Sequence, residues 1–400
     1  MEGKRFMRTL RIQNFLSYGS ENEEIELQPL NVLIGPNASG KSNLIEAIGL
    51  LRATPKDLTL PIREGGGISE WLWKGAASNP IAEIDATLYY PAGNMPLRYR
   101  LSMTMVGQRM ELIDEAVEDE DPTSADATDV GFYYRYQSGR PVLNSRITQG
   151  LFLKGKRTSD PVTGLSPNQS ILAQRKDPDK YPELTYIGDQ FSNMRLYREW
   201  NLGRNTAPRL PQLPDLPEDF LLEDASNLGL VLNDLQHRGT KQLLIEKLKK
   251  FYGEVEDITT RIHGGTVQLF IHEKGLQPIP ATRLSDGTLR YLCLLTILCH
   301  PAPPPIICIE EPELGLHPDI LPTVAELLIE ASQRTQLIVT THSDVLVSAL
   351  SEVPECVLVC ERDETGTQLR RLDPDQLKRW LDRYSLGELW RMGEIGGTRW

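Results

Sequence analysis

Long apolar runs are missing from this 400-residue chain, which removes a membrane-spanning helix from consideration. The first residues, Met1-Glu2-Gly3-Lys4-Arg5, lack the apolar core of a secretory leader, so a cytoplasmic location is expected. Cysteine is scarce, with five residues, Cys293, Cys299, Cys308, Cys356 and Cys360, all in apolar segments. They read as buried reduced thiols, and without a second matching pair Cys356 and Cys360 do not make a metal site. No internal repeat and no sustained heptad occur, so a long coiled-coil arm is not expected. Positive charge is in deficit, at a net −12. That argues against a nucleic-acid coat but leaves room for a local basic patch. Nine acids and no bases fall between positions 111 and 129, which reads as a solvated loop or hairpin tip. Apolar content of 40% and charged content of 24% are ordinary for a globular chain. The length suits one large domain with an insertion, or two domains.

What is present is concentrated in a few motifs. Gly35-Pro36-Asn37-Ala38-Ser39-Gly40-Lys41-Ser42 follows the apolar run Leu30-Asn31-Val32-Leu33-Ile34, which reads as a strand. It precedes positions 43–51, beginning at Asn43, which read as an amphipathic helix. A strand, a glycine-rich loop and a helix in that order make a phosphate-binding P-loop. The glycines let the backbone wrap an anion, the helix adds the positive end of its dipole, Lys41 reaches the β/γ-phosphates, and Ser42 offers its hydroxyl to Mg²⁺.

The rest of the chain reads as α/β. Positions 6–34 and 80–147 carry strand patterns, 160–185 are mostly loop with a short helix near 170–175, and 189 to about 250 turn helical. A second group of motifs lies near the end. Leu284-Ser285-Asp286-Gly287-Thr288 opens a helix with Ser285 as its N-cap. Pro305-Ile306-Ile307-Cys308-Ile309 is a buried strand tipped by Glu310 and Glu311. Gln336-Leu337-Ile338-Val339-Thr340-Thr341 is another, with His342-Ser343 at its C-terminal end. Ligands of open α/β sheets bind at such ends. Glu310 suits a Mg²⁺ holder, Glu311 a general base or water orienter, and His342 a γ-phosphate contact or a group that steers that water. His317, in a turn, reads as a cap.

In their order, these motifs resemble those of ABC-type ATPases: Walker A, signature, Walker B, D-loop and switch histidine. Leu10-Arg11-Ile12-Gln13-Asn14-Phe15-Leu16-Ser17-Tyr18, Asn43 and the Glu-Glu-Pro-Glu at 310–313 resemble the RecF/SMC/Rad50 and OLD group, nearest the bacterial RecF-like AAA ATPases. The resemblance implies an α/β P-loop NTPase of ABC-head type, with a mixed sheet lobe and an inserted helical lobe. Expected divisions are 1–188 and 263–362 for the ATPase lobe, 189–262 for the helical insertion, and 363–400 for a tail. ATP and Mg²⁺ are the implied cofactors. Also implied is an ATP-dependent head-to-head homodimer in which Ser285, Asp286 and Gly287 contact the nucleotide bound to the other copy's Lys41. Asp286 stands where transporters have glycine, and Glu310 where aspartate is usual. The group also has a metal-lining glutamine, for which Gln174 and Gln169 are the candidates.

The expected function is an ATPase whose dimer acts on DNA or on an effector partner, in repair or phage defence. The alternative is the energising subunit of a membrane transporter, disfavoured by the N-terminal strand pattern and the altered signature. A nuclease would be a separate partner, since few residues follow His342. Arg195, Arg198, Arg204 and Arg209 interleave with Tyr197 and Trp200, with Lys241, Lys247, Lys249 and Lys250 nearby. They are candidates for duplex DNA contact, against a reading as a solvated face. In the tail, Trp390, Met392, Ile395 and Trp400 read as docking on the body or serving a partner.

Overall fold

The computed structural model describes residues 3–21, 23–76, 78–121, 130–137, 140–146, 157–161, 164–166 and 168–398. Its centre is a six-stranded sheet in the order Arg195–Tyr197, Ile306–Glu310, Gln336–Thr340, Leu30–Ile34, Val357–Asp363, Gly366–Arg371. The first five run parallel and the last is antiparallel. Leu30–Ile34 and Gln336–Thr340 are buried at every position, as a parallel strand covered on both faces must be. Beside Gln336 and Thr340, the polar residue in these strands is Asn31. Its side chain bonds the Gln28 backbone and the Leu337 carbonyl and accepts from Arg371, so its burial leaves nothing unpaired.

One face of this sheet carries the P-loop helix Lys41–Ala53 and an eight-stranded antiparallel sheet that begins with Met7–Gln13. The other face carries the helices Leu228–His237, Lys241–Phe251, Asp286–Leu298 and Leu321–Ser332, with a three-stranded sheet over 255–280. Gln336 joins the two sheets. It accepts from Met7 N (2.8 Å) and donates to Met7 O (2.8 Å) and Gln28 O (3.1 Å). The strand Arg195–Tyr197 sits on the edge of the central sheet, and the longer helices of the expected insertion are Leu228–His237 and Lys241–Phe251.

The acid-rich stretch is not a solvated tip over its described part. Arg109–Asp119 is a strand, and Glu115, Glu118 and Asp119 are buried. Their charges are met across the sheet. Arg135 lies 3.0 Å from Glu118, Arg100 is 2.9 Å from Asp114, and Tyr99 donates to Glu115 (2.8 Å). Apolar and acidic residues come in successive pairs from Leu112-Ile113 to Glu118-Asp119, and a cross-strand arginine makes the burial of Glu118 tolerable. Positions 122–129 lie outside the described residues. All five cysteines are buried free thiols. Among the described residues no helix is long and apolar enough to cross a membrane.

Candidate functional site

The parallel register sets the site. Glu310 pairs with Thr340, and Thr340 with Leu33, so three strand ends lie abreast. Neighbouring strands are spaced by about 4.8 Å, which puts the Glu310 backbone roughly 10 Å from the P-loop strand. The loop after Ile34 turns on Gly35 (φ 148°), Ala38 (φ 64°) and Gly40 (φ 107°). A Cβ at Gly35 would lie 2.1 Å from the Cys360 carbonyl, so only glycine fits.

The back of the loop is tied down by residues far away in sequence. Thr367 donates to Ser39 O (2.8 Å) and Ser17 Oγ (2.7 Å), the Cys360 thiol to Ser39 O (3.1 Å), and the Tyr18 hydroxyl to Gly40 O (3.2 Å). Asn43 joins this bracing, its amide donating to Ser17 Oγ (2.6 Å). The front of the loop is left open. No side chain caps the helix Lys41–Ala53, so its first-turn amides lack partners of that kind. Ser42 is exposed on that turn. Lys41 is only 6% exposed, and its ammonium donates to the carbonyls of Gly35 (2.8 Å) and Pro36 (2.9 Å), with no carboxylate in ion-pair reach among the described residues. Burial lowers its pKa. The Ser39 hydroxyl is buried without a partner. A buried cation without a counter-ion, an orphaned hydroxyl and an uncapped helix are what a nucleotide phosphate would satisfy.

Glu310 ends the strand beyond Gln336–Thr340, and Glu311 follows it. Burial raises the Glu310 pKa, and its carboxylate is held by Arg198 (3.1 Å), which also pairs with Glu46 (2.7 Å). The oxygen donors of Ser42 and Glu310 suit Mg²⁺, which takes few protein ligands beside phosphate and water. When bound, that ion would neutralise charge on the phosphates. Among the described residues no cluster of three or more His, Cys, Asp or Glu offers a protein-only metal cage. Glu311 adopts the left-handed region (φ 46°), with its amide on Thr340 O (3.0 Å). Such a conformation costs about 1–3 kcal/mol and gathers at functional sites. Its carboxylate lies 3.8 Å from His342 Nε2. Burial, then Lys41, lowers the His342 pKa, which keeps the ring neutral near pH 7. Glu313 sets that ring's backbone, accepting from His342 N (2.7 Å) and Thr341 Oγ1 (2.7 Å).

The helix Asp286–Leu298 is capped as expected, Ser285 Oγ accepting from Thr288 N (3.0 Å). Asp286 pairs with Arg209, a residue that also donates to the carbonyls of Leu202 (2.8 Å), Leu284 (2.5 Å) and Ala281 (3.3 Å). Gly287 packs against Gly315 O, which a Cβ would approach to 2.7 Å. A bridge links this helix to Glu310. Trp200 donates its indole N–H to Glu310 O (3.3 Å), and Arg290 lies 5.1 Å over the Trp200 ring while donating to Glu311 O (3.4 Å).

Two cavities open at the strand ends. One of about 920 Å³ is bordered by Glu46, Arg52, Arg198, Glu199, Glu223 and Glu310. The other, about 550 Å³, lies at the P-loop mouth between Asn37, His342 and the C-terminal tail.

Several expected residues fall elsewhere. Gln174 is not brought to the site. Its amide closes its own loop, accepting from Ser166 N (2.7 Å) and donating to Ser166 O and Gln169 O. The residue beside Glu310 is Arg198, because the edge strand before it runs parallel to the acid-tipped strand. The basic cluster offered as a DNA surface is divided: part is engaged within the protein, and Arg204, Lys249 and Lys250 are exposed. Arg198 and Arg209 are engaged as above, and Tyr197 is buried with its hydroxyl on Leu221 O (2.5 Å). Lys241, Lys247 and Lys250 pair with Asp257, Glu330 and Glu326. His317 caps a short turn, accepting from Asp319 N. Trp390 and Ile395 dock into the core, Met392 is exposed, and Trp400 lies outside the described residues.

Known proteins of the same shape agree with this geometry. An SMC head bound to the C-terminal winged-helix domain of ScpA matches with a TM-score of 0.59 at 14% identity, over 93% of this chain and 99% of that one. A Smc head with an extended coiled coil bound to the C-terminal domain of ScpA, from Pyrococcus furiosus, matches at 0.57 and 13%, over 94% and 98%. A Smc head with a coiled coil and joint, from Pyrococcus yayanosii, matches at 0.51 and 10%, over 94% and 99%. No curated protein matches. At these identities the likeness shows the fold. Residues 9–53 match a family model described as "AAA domain". Residues 129–348 match a second model over more than half of the chain, and the chain therefore belongs to the family described as "AAA domain, putative AbiEii toxin, Type IV TA system", with the P-loop ATPase fold of an SMC head.

Proposed function

We propose that this chain is a Mg²⁺-dependent ATP hydrolase that closes head to head with a second copy around two ATP molecules and delivers that closure to a macromolecular partner. The observation that carries the reading is the placement of Lys41, Glu310 and Glu311 at strand ends of one parallel sheet, around a cradle whose cation lacks a counter-ion and whose Ser39 hydroxyl lacks a partner. Lys41, Ser42 and the amides at 37–42 hold the phosphates. Ser42 and Glu310 hold Mg²⁺. Glu311, steadied beside His342, orients the attacking water, for which its proximity to a neutral imidazole is suited.

Ser285, Asp286 and Gly287 would complete the site of the second copy, so turnover depends on dimer formation. The bridge from Glu310 through Trp200 to Arg290 gives the signature helix a route for sensing the metal-holding acid. For the partner, an effector protein has more support than DNA. Arg198 and Arg209 are taken up by contacts within the chain, Lys247 and Lys250 pair with Glu330 and Glu326 at the surface, and the SMC heads of similar fold hold a protein, ScpA. The setting we infer is phage defence or DNA repair.

The test is ATP turnover of the purified chain across protein concentration, with and without duplex DNA, and with Glu311→Gln as control. Turnover per chain that rises with concentration and vanishes in Glu311→Gln is expected. Turnover per chain independent of concentration would overturn the dimer, and turnover retained in Glu311→Gln would overturn the role of Glu311.

A further inference from the structure

The chain returns to the phosphate-binding loop near its C-terminal end. The helix Leu386–Met392 opens with a capping box between Ser385 and Glu388 and packs on Asp344–Ser348, the helix that follows His342. Gly387 makes that approach close, since a Cβ there would sit 2.0 Å from the Asp344 carbonyl. Glycines of positive φ at 393, 396 and 397 then fold the chain back. The Trp390 indole donates to Gly397 O (3.0 Å), Gly397 N donates to Glu361 (2.8 Å), and Arg370 donates to Ile395 O (2.8 Å). These contacts carry the tail to the P-loop. A Cβ on Gly397 would lie 3.5 Å from the Cα of Gly35.

One wall of the 550 Å³ cavity is therefore Gly35, Pro36 and Asn37, and the facing wall is Trp390, Arg391 and Gly397. The cation on that wall is Arg391. Asp344 holds its Nε at 3.2 Å, and the side chain is otherwise 64% exposed, with no further protein acceptor among the described residues. The fork of its two terminal amino groups is left for a ligand.

The charge balance says which ligand. Glu310, Glu311, Glu313 and Asp344 all lie around the strand ends; Arg198 is already shared between Glu310 and Glu46, and Lys41, the other cation at the loop among the described residues, is folded back on the carbonyls of Gly35 and Pro36. A terminal phosphate entering beside those acids adds negative charge on the His342 side, where the Arg391 wall supplies the positive charge. We infer that Arg391, presented by the C-terminal tail, is a nucleotide-binding residue that contacts the terminal phosphate of a nucleoside triphosphate. Guanidinium forks bind phosphate oxygens in pairs, a geometry that an ammonium does not reproduce. The tail thereby separates triphosphate from diphosphate. This inference rests on the nucleotide reading above.

The experiment is calorimetric titration of the full chain with Mg²⁺ and either ADP or a non-hydrolysable ATP analogue. Arg391→Ala should weaken the triphosphate analogue tenfold or more while leaving ADP within twofold, and Arg391→Lys should recover part of the loss. An unchanged melting temperature would show that the variant folds, as its exposure leads one to expect. Equal loss of both nucleotides, or loss of neither, overturns the role of Arg391. Lys41→Ala is the separate control: if it leaves both affinities intact, the nucleotide site itself is misplaced.

Discussion

Arg209→Met tests how the signature helix is held. The guanidinium is 4% exposed and serves four acceptors, the carbonyls of Leu202, Ala281 and Leu284 and the carboxylate of Asp286. Two effects compete for the larger share. An ion pair is the obvious one, but the Asp286 side chain is 71% exposed, and exposed pairs are worth about 0–1 kcal/mol. The carbonyls lie in buried surroundings, and leaving such groups unsatisfied costs about 1–3 kcal/mol each, partly offset by releasing a buried guanidinium. The carbonyl contribution therefore dominates. Arg209→Met should cost about 3 kcal/mol, Asp286→Asn less than about 1, and their coupling in a double-mutant cycle should stay below about 1 kcal/mol. Urea unfolding of the four proteins, followed by tryptophan fluorescence, gives these values. A coupling above about 2 kcal/mol would mean that the ion pair is the anchor, and the argument from burial would be refuted.

Other perturbations separate the remaining roles. Arg198→Ala leaves Glu310 without its cation and should lower the stability of the nucleotide-free protein by about 1–2 kcal/mol, with a larger melting shift on adding Mg²⁺ and ATP than in the parent. A shift equal to the parent's would mean that Arg198 and the metal do not share Glu310. Glu311→Gly should be more stable than Glu311→Ala by about 1 kcal/mol, because only glycine relaxes at that φ, and both should lack turnover. Thermal melting of the pair decides it. Burial pushes the Glu115 carboxyl up to about 7 from an ordinary value near 4.5, so folding takes up a proton between those limits. Its stabilisation is fully present below pH 4.5 and lost as pH rises through 7, roughly 3 kcal/mol in all. Glu115→Gln should flatten the decline of urea midpoints between pH 5 and pH 8. An undiminished decline would place the proton elsewhere.

The parts of the site legible in sequence are those whose chemistry is local. Gly35–Ser42 is contiguous, and a five-residue apolar strand ending in Glu310-Glu311 declares both burial and function within seven positions. Ser285 is read as a cap because a cap acts three residues away. Arg198, Arg209, Glu313 and Thr367 were not legible as site residues. Arg198 meets Glu310 across 112 positions, and Thr367 meets Ser39 across 328. No local pattern encodes such pairs. The same blindness made the arginines of 195–209 look like an exterior face, since charge suggests solvent until a buried acceptor is known. In the acid-rich stretch, the density of carboxylates hides the apolar pairs Leu112-Ile113 and Ala116-Val117, which lie in a strand. Gln174 was sought before the helical insertion. The register instead gives the place beside Glu310 to the residue after Tyr197, where this chain has arginine.

The order of the central sheet also bears on how the protein comes into being. The P-loop strand lies between Gln336–Thr340 and Val357–Asp363, which follow it by roughly 300 residues. During synthesis at about 5–20 residues per second, that strand waits some 15–60 s for either neighbour. For this interval its five core residues and the motif behind them have no lateral partner. The P-loop motif is thus translated well before the two strands that flank it, and bound nucleotide can stabilise the chain only after those strands have arrived.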